Sequence, residues 1–123
     1  TSGHHYINTT SWTNMATASG TATINGDFCY MLQTDGMWVD SSSHRIYVRL
    51  KFTKSGSSTK YFPDSSGHKN YYYISDSRLD TWSNSDCGTI DAGTWNVTLQ
   101  FRGGNSHNTR WHSTYGYLSL IIW

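Results

Sequence analysis

The sequence predicts an all-β protein, an antiparallel β-sandwich of about eight to ten strands, and three observations carry that expectation. Aromatic residues make up 15% of the 123 residues, and Tyr, Trp, Thr and Val favour a pleated, half-buried surface. Every acid is Asp, with no Glu anywhere, although Glu, Lys, Ala and Leu are the usual fillers of helix surfaces. Segments that alternate apolar and polar residues recur with turn chemistry between them. Only 14% of the residues are charged, against about 25% in ordinary soluble domains, so Ser, Thr, Asn and Gly must supply the polar surface. The length suits one domain, residues 1–123, with a single modest core.

Taken in order, "TTSWTNMA" (9–16) and "GTATING" (20–26) lead into the apolar run "DFCYMLQT" (27–34). That run is expected to stop at Asp35-Gly36, a favoured tight-turn pair. "MWVD" resumes and ends in the polar loop "SSSH". "RIYVRLKF" (45–52) is the cleanest strand, with Ile46, Val48, Leu50 and Phe52 on one face and Arg45, Tyr47, Arg49 and Lys51 on the other. Residues 53–70, rich in Ser and Gly around Pro63, read as a long surface loop with at most one short edge strand. "YYYIS" (71–75) is a further strand, and 76–93 a second polar excursion carrying Trp82. "TWNVTLQF" (94–101) alternates again, and "RGGN" turns the chain toward "TRWHSTYGYLSLIIW". In that closing segment Leu118, Leu120 and Ile122 face one way, and Tyr117, Ile121 and Trp123 the other. Both faces are largely apolar. About eight strands with long loops is the count of a jelly roll.

Composition also narrows the function. A net charge of +1 with scattered Lys and Arg offers no footprint for nucleic acid, and no run of about 18 apolar residues suggests membrane insertion. The chain opens at "TSGHHYINTT" as an excised or processed domain would, without a secretory h-region. Cys29 and Cys87 match no metal spacing. They form either a disulfide or two buried thiols, and the position of Cys29 inside an apolar run favours thiols.

No enzyme is expected. Asp35, Asp64, Asp76, Asp80, Asp86 and Asp91 fall in stretches that contain Ser or Gly and read as turn residues, and no nucleophile elbow, zinc-protease motif or phosphate loop is present. Dispersed His44, His68, His107 and His112 suggest no metal site. The adjacent pair His4-His5 would converge on an ion only if this end of the domain lay on a three-fold axis. Loop aromatics point to a ligand instead, because sugars stack on Trp and Tyr rings while Asp, Asn and His bind hydroxyls. The candidates are Trp38, Tyr61, Tyr71 and Trp82, with Asp40, His68, Asn70, Asp80, Asn84 and Asp86 beside them in sequence. The competing role for Trp38 and Trp82 is cover for the core edge.

The order "INTTSWTNMA", "NGDFCYML", "RIYVRLKF", "DAGTWNVTLQF" and "GYLSLIIW" resembles the C1q/TNF-like jelly-roll domains at the C-termini of tailed-phage tail fibres and related virion proteins. The resemblance spans nearly the whole chain and departs from the pattern in the aromatic loops at 60–73 and 80–88. It implies a compact homotrimer, with Tyr115, Tyr117, Ile121 and Trp123 at the subunit interface, and hence an explanation for a closing strand that is apolar on both sides. The implied function is a non-enzymatic, extracellular tip or head domain of a virion fibre that recognises a host-surface glycan or protein receptor. No cofactor is implied beyond an ion on the trimer axis. The alternative, from a different class, is a monomeric carbohydrate-binding module or lectin of a secreted protein.

Overall fold

The computed structural model describes residues 4–7, 11–39, 44–65, 71–74, 80–103, 109–112 and 117–122. Their strands form two five-stranded antiparallel sheets, with no helix among the described residues and so none there long and apolar enough to cross a membrane. Sheet 1 contains β1 (His4–Ile7), β3 (Gly26–Val39), β7 (Asp80–Ile90), β9 (Thr109–His112) and β10 (Tyr117–Ile122). Sheet 2 contains β2 (Thr13–Ala22), β4 (His44–Thr53), β5 (Lys60–Phe62), β6 (Tyr71–Ile74) and β8 (Gly93–Gly103). In sheet 1, β3 is central, flanked by β10 and β9 on one side and β7 on the other. In sheet 2 the order is β2-β8-β4, with β5 and β6 both against β4.

Alternation builds the core. From β4 come Ile46, Val48, Leu50 and Phe52, and from β8 Trp95, Val97, Leu99 and Phe101, all essentially inaccessible to solvent. They pair in register, Val48 with Phe101, Leu50 with Leu99 and Phe52 with Val97. Sheet 1 answers with Phe28, Tyr30 and Leu32 from β3 and Ile90 from β7. An aromatic chain joins the sheets: Phe28 lies 4.8 Å from Phe52 and 5.1 Å from Phe62 between ring centroids. Phe52 in turn meets Trp95 edge-on at 6.2 Å, and the buried indole N–H of Trp95 donates to the Asp91 carbonyl at 2.8 Å, which removes the cost of an unpaired donor. The inward residues of β2 after Met15 are small (Ala16, Ala18, Gly20, Ala22). That lets β10 come close, and Leu120 and Ile122 pack on the core, as its alternation predicts.

Three expectations are corrected. Asp35-Gly36 is not a hairpin turn: β3 runs through it, and its pairing with β7 shifts register between Thr34 and Met37, so the extra residues are absorbed as a bulge. The polar excursion at 76–93 contains strand β7, which places Asp80 and Asp86 in a strand rather than in turns. An edge strand tolerates this composition because its outer face meets water and its inner face covers only the rim of the core. The cysteines are not buried thiols. Phe28, Tyr30 and Leu32 take the inner face of β3, so Cys29 points outward, directly opposite Cys87 in the ladder. The two form a disulfide with an S–S distance of 2.07 Å and Cα atoms 4.1 Å apart.

Candidate functional site

The most developed polar arrangement lies on the outer face of sheet 2. With Ile46, Val48, Leu50 and Phe52 committed to the core, alternation sends Arg45, Tyr47, Arg49 and Lys51 outward. Arg102 emerges likewise from β8 beside buried Phe101. Arg49 Cζ sits 4.1 Å from the Trp12 ring centroid and 4.0 Å from that of Tyr61, so its guanidinium is stacked by two rings. Its Nε donates to Gln100 Oε1 at 2.8 Å, and one terminal nitrogen donates to the Ser65 carbonyl. Gln100 Nε2 passes the network on to Asn14 Oδ1 at 2.8 Å. Arg102 Cζ lies 5.2 Å from the Trp12 centroid and 4.2 Å from that of Tyr47. Aromatic rings and guanidinium groups therefore alternate across the face from Tyr61 through Arg49, Trp12 and Arg102 to Tyr47.

Arg49 is only 9% exposed and Gln100 6%. Burial is the main force pulling the Arg49 pKa down from its ordinary value, with the neighbouring Arg102 charge acting in the same direction and Tyr61 opposing. The guanidinium nonetheless stays charged. Its hydrogen-bond partners are an amide oxygen and a backbone carbonyl, both neutral.

The outer face of sheet 1 is different. Met31 is 50% exposed and Ile121 64%. With Cys29, Tyr30, Ser85, Asp86, Cys87 and Ser119 they line a shallow depression of about 350 Å³. Of the expected interface residues, Ile121 thus lies on an open apolar face, and Tyr117 stands opposite Gln33 in the same strand pair. Tyr115 and Trp123 lie outside the described residues.

The expected ligand residues do not form one site. Tyr61 belongs to the guanidinium stack, and Tyr71 is in register with Tyr47 at its end. Trp82, Asn84 and Asp86 are on β7 in the other sheet, opposite Thr34, Leu32 and Tyr30, and Asp80 opens that strand. Asn84 Oδ1 accepts the Tyr30 hydroxyl, a hydrogen bond that ties β7 to the core, while the Asp86 carboxylate accepts the Cys87 N–H at 2.8 Å. Trp38 pairs with Arg110 at the far end of β3. Asp40, His68 and Asn70 lie outside the described residues. On β1, His4 stands opposite His112, and His5 opposite Trp111.

The residues that sequence reasoning missed are Trp12, Asn14, Tyr47, Arg49, Gln100 and Arg102. The outward alternation of β4 was a visible signal, but it did not say that Trp12 and Tyr61 close over Arg49. No family model matches the chain, and no curated protein matches its sequence.

Proposed function

We propose that the protein is a non-enzymatic jelly-roll head or tip domain of a fibre-like virion protein, acting outside the cell as a homotrimer that attaches to a glycan or protein receptor on a host surface. The strand pairing supports the jelly roll. If β5 with β6, and β9 with β10, are each counted as one position, the first pairs with the last (β1 with β9), the second with the seventh (β2 with β8), the third with the sixth (β3 with β7) and the fourth with the fifth (β4 with β5). A long antiparallel ribbon rolled on itself generates those pairs, and rolling brings β3 beside β10 and β4 beside β8.

The observation that carries the assembly is the open apolar face around Met31 and Ile121. Met31 and Ile121 form a small apolar patch that packing against another subunit would cover, and a three-fold assembly would also multiply weak receptor contacts through avidity. Light scattering on wild type, Ile121→Asp and Met31→Asp tests it. A wild-type mass of three chains that falls to one in the variants supports the reading, and a one-chain mass in wild type refutes the trimer. The second reading, a monomeric carbohydrate-binding module, is favoured by the aromatic and amide groups on sheet 2, which need no second subunit to form.

A further inference from the structure

Charge is segregated between the two sheets. The strands of sheet 2 carry Arg45, Arg49, Lys51, Lys60 and Arg102 and no acid, whereas those of sheet 1 carry Asp27, Asp35, Asp80 and Asp86 against a single cation, Arg110. A net charge of +1 for the whole chain conceals this. Lys60 is bonded to Asp91 at 2.7 Å beyond the end of β7. The other four cations of sheet 2 share its outer face: Arg45 is exposed, Lys51 and Arg102 are half-buried, and Arg49 is stacked beneath them among neutral partners.

We propose that the outer face of sheet 2, centred on Arg45, Tyr47, Lys51 and Arg102, is the receptor surface, and that its ligand is an acidic glycan bearing carboxylate or sulfate groups. The proposal rests on the glycan-recognition reading above and adds the class of sugar and the face that takes it. Guanidinium forks pair with two oxygens of an oxyanion at once through parallel hydrogen bonds, and an anion brought to this face meets no carboxylate from any strand of the sheet. Arg49, held flat between Trp12 and Tyr61, contributes fixed positive potential without needing to reach the ligand. The rows alongside supply Asn14, Asn96 and Thr98, outward residues suited to hydroxyl groups. Asp64, beside Ser65 in the connection after β5, has a partner within the protein, and so do Arg45, Tyr47 and Arg102, so an acidic ligand adds to contacts that these residues already make. Four cations on one short face are too few to track a phosphate backbone, and the Cys29–Cys87 disulfide belongs to oxidising surroundings, so a saccharide fits better than a nucleic acid.

The test is direct binding of the intact protein to a hyaluronate oligosaccharide, a heparin-derived oligosaccharide, a neutral malto-oligosaccharide and oligodeoxythymidylate, by calorimetry or interferometry. The expected result is binding to at least one acidic saccharide, weakened about tenfold or more in Arg45→Gln/Lys51→Gln and in Arg102→Gln, and weakened similarly when salt rises from about 0.05 to about 0.5 M. Arg45 is exposed but has a contact within the protein, so an unchanged urea midpoint in the variants is required to show that the loss is one of binding and not of folding. Acidic and neutral sugars bound equally would overturn the charge assignment and leave glycan recognition standing. Binding that the variants do not weaken would place the site elsewhere and overturn the proposal. Tighter binding of oligodeoxythymidylate would replace the glycan with a nucleic acid, and no binding to any saccharide would remove both this proposal and the glycan reading beneath it.

Discussion

Gly88→Ala is a sharp test of the register of β7. A Cβ at position 88 would stand 2.8 Å from a ring carbon of Phe62 and 2.9 Å from two ring carbons of Phe28. Carbon atoms in good contact are about 3.5–4.0 Å apart, so the rings would have to retreat by several tenths of an ångström or more. Retreat is costly, because Phe28 is already packed on Phe52 and Phe62 touches Tyr30. Overpacking of this kind costs about 1–3 kcal/mol, and about 2 kcal/mol would lower a urea midpoint by about 1 M. Phe28→Leu removes two of the clashing atoms. It should cost about 1–2 kcal/mol alone but restore room for the methyl group, so the double variant should be more stable than additivity predicts by about 1 kcal/mol or more. The assay is urea denaturation of the four proteins at one fixed protein concentration. A neutral Gly88→Ala, or additivity within about 0.5 kcal/mol, would refute the placement of β7 over Phe28.

Replacing Cys29 and Cys87 together with Ala should destabilise by up to about 4 kcal/mol in the chain-entropy account of a crosslink across 58 residues, and alkylation of the native protein should find no free thiol before reduction. Arg49→Lys should cost about 3 kcal/mol, more than Arg49→Met at about 1–2 kcal/mol, because lysine keeps a poorly hydrated charge while losing both stacks and the fork. Thermal denaturation that finds lysine the better substitute would contradict the stacked arrangement. The Asp91 carboxyl is held below the ordinary carboxylate value by its hydrogen bond from Lys60 and then by that charge. Its folded pKa therefore lies below its unfolded one, so its stabilisation is present above the unfolded value and fades as pH falls through the lowered one. An NMR titration midpoint no lower than that of a free Asp would refute the pairing, and Asp91→Asn should abolish this part of the acid dependence.

The legible parts of the fold were strands with two unlike faces. β4 and β8 alternate large apolar residues with polar ones over seven or more positions, and both are strands with those apolar residues in the core. β7 was illegible because Asp, Ser, Asn and Gly serve an edge strand as well as a turn, and only pairing with β3 distinguishes them. Asp35-Gly36 failed for the same reason, since bulges and hairpin turns recruit the same residues. Cys29 was misread because an apolar run was assigned to the core as a block, whereas a strand buries every second residue. Tyr61 was found as an aromatic beside a polar loop. Its real neighbours, Arg49 and Trp12, come from elsewhere in the chain and meet it only after β2, β4 and β5 are in place.

The contrast between the two outer faces also restricts how the molecule can assemble. Joining two copies through sheet 2 would press Arg45, Lys51 and Arg102 of one against the same groups of the other, with no acid in any strand of that sheet to neutralise them. Like charges brought together out of water cost several kcal/mol. Sheet 1 offers Met31, Ile121, Ser85 and Ser119 around a disulfide, and burying them removes apolar surface from water, with Asp86, which lines the same depression, left at the rim of the contact. Self-association through sheet 1 would leave the cationic face outward in every copy. The same separation of charge that repels one sheet from its own kind therefore aims it at an acidic partner, and a charge-reversing substitution at Arg45 should weaken such binding while leaving the oligomeric mass unchanged.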